Sequence, residues 1–246
     1  MRRPRGAGPA APADTWVPPW WAVVAAVLLG AAVTALVLTG GFLVGWDHAV
    51  SHVFRTWDVR DDPWPMRLTY LLTLPGQRGT VLVVSVPTVA WLVWRGRSVD
   101  PAVRYVAALV LLTVAVYALK AATGRDAPPV DALHTATGAS FPSGHLANAI
   151  LVWGLIAFAA ARVVGAPRWL RRTARRVATI GPLCVVAGMT ILDYHWLSDF
   201  LAGACVGVVL LRIVELPLWA VPARWIDDRV WAGGPPGGWR RPGRAR

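Results

Sequence analysis

The chain is poor in charge. Only 15% of its 246 residues are Asp, Glu, Lys or Arg, against about 25% in a typical soluble domain. A single soluble globule has no place for the complementary surplus: 56% of the residues are hydrophobic and the mean hydropathy is +0.49. Several membrane-spanning segments account for it. Cysteine is also scarce. Cys184 and Cys205 are the two present, both inside apolar stretches, with no flanking base and no metal-ligand spacing. They are expected to be small buried hydrophobes rather than a disulfide. The first twenty residues lack an apolar core followed by a small-residue cleavage site, and the first apolar run is too long for a signal peptide. It is expected to stay as a signal anchor. No internal repeat is found.

Acidic residues are few, so the formal net charge is +12. Basic patches bind nucleic-acid backbones, but here the cations gather at the ends of apolar segments. There they act as topology signals and lipid head-group contacts. The expected partner is the lipid bilayer, with no nucleic acid.

Six apolar segments are present: about Trp21 to Val44, Gly79 to Trp94 (interrupted by Pro87), Ala102 to Ala122, Ser143 to Val164, Val177 to Leu192 and Leu197 to Trp219. Each approaches the length of a bilayer crossing. The expected fold is all-α, a polytopic bundle of six transmembrane helices over residues 20–221. Residues 1–19 form an expected disordered cytoplasmic tail, and residues 222–246 an Arg/Gly/Pro-rich one. Between the first two segments, Trp46 to Arg78 reads as a polar stretch. Its apolar patch, Met66 to Leu74, is expected to be an interfacial helix with Trp57 and Trp64 at head-group depth.

The cations fix an orientation. Arg2, Arg3, Arg5, Arg95, Arg97, Arg104, Arg162, Arg168, Arg171, Arg172, Arg175, Arg176, Arg224, Arg229, Arg240, Arg241, Arg244 and Arg246 fall on one side of a six-span topology. Only Arg55, Arg60, Arg67, Arg78, Lys120 and Arg125 fall on the other. The positive-inside rule then places both termini in the cytoplasm. Lys120, Ser143, His145, His195 and Asp199 are all expected at the extracytoplasmic face.

Ionisable residues at the edge of membrane helices are costly and default to a functional reading. His195 and Asp199 stand at i and i+4, so on a helix they share a face, and Asp199 is placed either to orient the imidazole or simply to complement the helix N-terminus. Pro142-Ser143-Gly144-His145 has a serine at a helix cap and a glycine without side chain, which leaves N–H groups open to an anion. His145 projects from the first turn. Phosphoryl transfer to histidine needs a neutral imidazole, a carboxylate behind it, cations and amides for the phosphoryl oxygens, and an acid for the leaving oxygen. These residues have that composition.

In this arrangement the chain resembles the type 2 phosphatidic acid phosphatase superfamily, which includes membrane lipid phosphatases and vanadium haloperoxidases. The superfamily pattern is Lys, six residues, Arg-Pro; then Pro-Ser-Gly-His; then Ser-Arg, five residues, His, three residues, Asp. The chain supplies Lys120 and Pro128, all of Pro142 to His145, and His195 and Asp199, in that order. The resemblance covers about residues 20 to 220. It implies His195 as nucleophile through a phosphohistidine, Asp199 as its partner, and His145 as general acid. It also implies Lys120, Ser143 and the Gly144 amide as the phosphate cradle, a lipid phosphate as substrate, and no metal or other cofactor. The six spans argue against the soluble peroxidase branch.

Two positions depart from that pattern. Ala127 and Met189 stand where the superfamily has phosphate-gripping arginines. Arg125 is the candidate substitute in phosphate binding; alternatively it pairs with Asp126 or Asp193 at the surface. His134 is a loop residue able to add a donor. His48 and His52, at i and i+4, have a spacing that can bind metal but lack a third ligand. Three functions remain open: a phosphatase for phosphatidate, phosphatidylglycerol phosphate or a polyprenyl diphosphate; a weakened or altered enzyme; and a non-catalytic lipid-binding protein on the same scaffold.

Overall fold

The structure, a computed structural model, describes residues 18–129, 139–163 and 166–230. The expected terminal tails, up to residue 17 and from residue 231, lie outside the described residues, as does His134. Among the described residues the chain is all-α. The helices are α1 Trp20–Leu38, α2 Phe42–Arg55, α3 Pro63–Thr73, α4 Arg78–Gly96, α5 Asp100–Thr123, α6 Gly144–Arg162, α7 Arg168–Ile191, α8 Leu197–Val214 and α9 Ala220–Val230. Six of them, α1, α4, α5, α6, α7 and α8, are long and apolar enough to cross a membrane. The chain is a multi-pass membrane protein, as its apolar runs predict.

Where the boundaries differ from the apolar runs, local chemistry explains it. The first run breaks after Leu38 because Gly40 takes a left-handed conformation (φ +65°) and the Gly41 N–H returns to the Leu36 carbonyl at 2.7 Å, a glycine C-cap. The rest of that run becomes α2, a helix that the polar reading of Trp46 to Arg78 did not anticipate. The expected interfacial helix is present as α3, opened by Asp62, whose carboxylate accepts from the Trp64 N–H at 3.0 Å, with Pro63 in the first turn. α7 begins at Arg168, well before its apolar stretch, because arginine is a good helix former and ends only the hydrophobicity, not the helix. α8 stops at Val214, and a 3-10 turn, Pro217–Trp219, leads into α9. The tail expected to be disordered from Pro222 is therefore helical as far as Val230. Asp227 holds α9 in place by accepting from Ser98 Oγ and the Val99 N–H, each at 2.8 Å.

α6 is the axis of the bundle. Buried residues make up 78% of its span, against 17% for α1, and α4, α5, α7 and α8 all pack on it. Within a bilayer, helix association relies on close van der Waals fit rather than on water exclusion, so small residues mark the crossings. A side chain at Gly207 would meet Ile150 Cβ at 2.9 Å, and one at Gly154 would meet Leu211 at 2.7 Å. These close fits seat α8 on α6. The start of α4, the end of α5 and the starts of α6 and α8 thereby gather at one end of the bundle.

Candidate active site

Two crossings at that end bring the motif residues together. The Ser143 N–H donates to the Asp199 carbonyl at 2.9 Å, joining the cap of α6 to the first turn of α8. One turn further along α8, Gly203 leaves room for Ser143: a Cβ there would lie 2.5 Å from the Ser143 carbonyl oxygen. On the other flank, the turn between α3 and α4 sits against His145. A Cβ at Gly76 would lie 2.7 Å from the His145 carbonyl oxygen, and Asn148 Nδ2 donates to the Gly76 carbonyl at 3.1 Å. The α5–α6 connection is pinned by a bridge between Asp126 and Ala139, by the Ser140 N–H on the Arg125 carbonyl at 2.6 Å, and by Trp196 Nε1 on the Asp126 carbonyl at 2.8 Å.

The two histidines from α6 and the α7–α8 turn meet. His145 Nδ1 lies 3.3 Å from His195 Nε2, and His195 Nδ1 lies 3.1 Å from Asp199 Oδ2. His195 is buried and Asp199 fully so. The carboxylate thus holds one ring nitrogen and leaves the other facing His145. Lys120 Nζ donates to the Ala139 carbonyl, which fixes it beside the same space. A cavity of about 790 Å³ opens here, lined by Arg78, Lys120, Ala127, Gly144, His145 and His195. Its further wall along α5 is apolar, formed by Leu112, Val116 and Tyr117. A concave space with convergent cations and imidazoles at one end and hydrocarbon along another suits an amphiphilic anion.

Two expected cradle residues sit elsewhere. Ser143 is fully buried, its Oγ accepting from the Leu146 N–H at 3.4 Å, so it serves as the α6 cap. Arg125 does not line the cavity. Its guanidinium binds Asp47 Oδ2 at 2.6 Å, Ser198 Oγ at 2.6 Å and Asp199 Oδ1 at 3.1 Å. It is paired, but with neither Asp126 nor Asp193. Asp193 is neutralised instead by Arg55 at 2.9 Å, with Ser51 Oγ at 3.0 Å. Met189, 1% exposed, belongs to the bundle core, whereas Ala127 faces the cavity. His48 stacks edge-on against Trp196 at 4.9 Å, and no group of three metal-ligating side chains is present among the described residues.

Asp47 is the functional candidate that sequence reasoning missed. It is 2% exposed and accepts from the Ser198 N–H at 2.9 Å and Ser198 Oγ at 2.5 Å as well as from Arg125. The chain Asp47–Arg125–Asp199–His195 is continuous. The available signal was a lone carboxylate just after the first apolar run, with apolar residues on both sides, which is costly when buried unless paired.

Comparison with known proteins agrees with this fold. Residues 101–220 match the PAP2 superfamily. The fold is similar to the crystal structure of a transmembrane PAP2-type phosphatidylglycerolphosphate phosphatase from Bacillus subtilis, with a TM-score of 0.65 and 21% sequence identity over 85% of this chain and 96% of that one. No curated protein matches the chain by sequence.

Proposed function

We propose that the protein is a membrane lipid phosphatase working through a phosphohistidine, with its site at the extracytoplasmic face. The observation that carries this reading is the line Asp199–His195–His145, with contacts of 3.1 and 3.3 Å at the floor of a cavity that also holds Lys120. His195 Nε2 attacks phosphorus and the bond to the leaving oxygen breaks. His145, turning from its contact with His195, gives that oxygen its proton. Asp199 stabilises the imidazolium that forms. Water then attacks the phosphohistidine, its proton passing to His145, and inorganic phosphate leaves. Lys120 and the Gly144 N–H at the head of α6 neutralise the phosphoryl oxygens. These groups suffice without a metal. The apolar wall on α5 suits a substrate with a hydrocarbon tail, such as phosphatidate, phosphatidylglycerol phosphate or a polyprenyl diphosphate.

The charge distribution supports this face. Arg95, Arg97, Arg162, Arg168, Arg171, Arg172, Arg175 and Arg176 cluster at the end of the bundle opposite the site, which the positive-inside rule assigns to the cytoplasm together with both termini. A second reading, a slow enzyme or lipid binder, is favoured by one observation: Arg125 is held by two carboxylates and is not available to phosphate.

The test is phosphate release by detergent-purified protein from each of the three lipid classes, in EDTA. His195→Ala is expected to abolish release, and acid-stable labelling should be absent while base-stable phosphohistidine is trapped from the parent. Release that survives His195→Ala would overturn the mechanism. Binding without any release would establish the second reading.

A further inference from the structure

With Arg125 withdrawn into its carboxylate pair, the cavity needs another guanidinium, and the fold places one there. We infer that Arg78, at the first position of α4, is a phosphate-binding residue of this site; the inference rests on the phosphatase reading above and assigns the oxygen contacts that Lys120 cannot make alone. Three observations carry it. Arg78 lines the same cavity as Lys120, His145 and His195. The turn just ahead of it packs directly on His145, with Gly76 against the His145 carbonyl oxygen. Among the described residues it has no hydrogen-bond or ion-pair partner, whereas Arg55, Arg104 and Arg125 are all committed to carboxylates.

The local backbone explains why a cation at this position reaches the site. Gly76, two residues earlier, packs on the His145 carbonyl so closely that no side chain fits between them. Asn148 and Trp153 of α6 clamp the turn by donating to the carbonyls of Gly76 (3.1 Å) and Pro75 (2.8 Å). The start of α4 is therefore fixed against α6 within reach of the cavity mouth. Arg78 itself is exposed, so a substrate's phosphoryl group meets it without displacing a protein partner. A dianionic phosphate between Lys120 and Arg78 gains a point charge on one side and a planar two-donor fork on the other.

The experiment compares Arg78→Gln, Arg78→Lys and Arg67→Gln in purified full-length protein of matched monodispersity. Arg67 is the control for general surface charge, since it stacks on Trp64 (5.5 Å) away from the cavity. Arg78→Gln is expected to lower kcat/KM by about tenfold or more, Arg78→Lys by less, and Arg67→Gln not at all. Adding Ala127→Arg, which introduces a second guanidinium at a position lining the same cavity, should recover most of the loss. Affinity for inorganic phosphate, read by calorimetry on the parent and Arg78→Gln, separates this inference from the chemistry: the affinity should fall about tenfold even where no lipid is hydrolysed. Equal phosphate affinity in the two, no measurable phosphate binding by the parent, or an Arg78→Gln loss matched by Arg67→Gln would overturn the role of Arg78. Failure of lipid hydrolysis in the parent with the affinity difference intact would sink the phosphatase reading alone.

Discussion

The main-chain bond from the Ser143 N–H to the Asp199 carbonyl, 2.9 Å long, sets the spacing of the two histidines. His145 lies two residues beyond one partner and His195 four residues before the other. Neither imidazole is placed by its own motif alone; the crossing of α6 and α8 places both.

Gly203 is the residue that permits this crossing. Gly203→Ala puts a methyl group 2.5 Å from the Ser143 carbonyl oxygen, a backbone atom with little room to retreat. The expected cost is about 1–3 kcal/mol of overpacking, and a displacement near 1 Å at the histidines lowers kcat by about a hundredfold. Gly45→Ala, where nothing lies within 4 Å of an added Cβ, is the matched control. Activity and thermal midpoint in detergent check both; an active Gly203→Ala would show that the crossing tolerates separation.

Asp47 holds Arg125 and Ser198 behind the Asp199–His195 pair. Asp47→Ala strips the half-buried Arg125 guanidinium of one partner and leaves the buried Ser198 N–H without an acceptor, a loss of about 3 kcal/mol for a broken, largely buried pair. Asp47→Asn keeps the volume and one acceptor oxygen, so it should fold. Its kcat is expected to fall about tenfold with KM little changed, because the cavity wall is untouched. A KM effect of the same size with kcat intact would show that Asp47 acts on substrate binding instead.

Ala127 and Met189 answer differently to the same substitution. Ala127→Arg enters the cavity and is expected to raise kcat/KM by about tenfold or more, the effect of one charge-assisted hydrogen bond. Met189→Arg puts an unpaired guanidinium into the core at a position 1% exposed, where burial of an uncompensated charge costs several kcal/mol. Folded yield and thermal midpoint should drop for Met189→Arg. A well-folded, faster Met189→Arg would mean that α7 presents this position to the site.

Glu215, just past the end of α8, makes stability depend on pH. It is 7% exposed, both carboxylate oxygens lack a hydrogen-bond partner among the described residues, and burial raises its pKa from the ordinary 4.5 to about 7, against the opposing pull of Arg162, Arg104 and Arg212. The folded state holds the proton more tightly than the unfolded state. This contribution is therefore complete below pH 4.5 and is lost as pH rises to about 7, on the order of 3 kcal/mol in all. Glu215→Gln should match the parent's thermal midpoint at pH 4.5 and exceed it above pH 7. A difference that does not change with pH would remove Glu215 as the cause.

The apolar runs by themselves determined the six spanning helices, because each must satisfy its own backbone and present hydrocarbon over a bilayer's thickness. The same sequence determined that Lys120, His145, His195 and Asp199 share one end, since an even alternation of spans forces their sidedness. α2 was hidden because its apolar residues are interleaved with Asp47, His48 and His52, so most of it fell in the polar stretch from Trp46. Which groups serve Arg125 was settled only by tertiary structure: Asp47 lies 78 residues away in sequence and Asp199 lies 74. No local pattern encodes a bond between side chains that meet only after α2 and α8 have packed. The role of Met189 was decided in the same way, because a helix in a bundle has one face toward the site and another toward the core, and only packing determines which residue takes which.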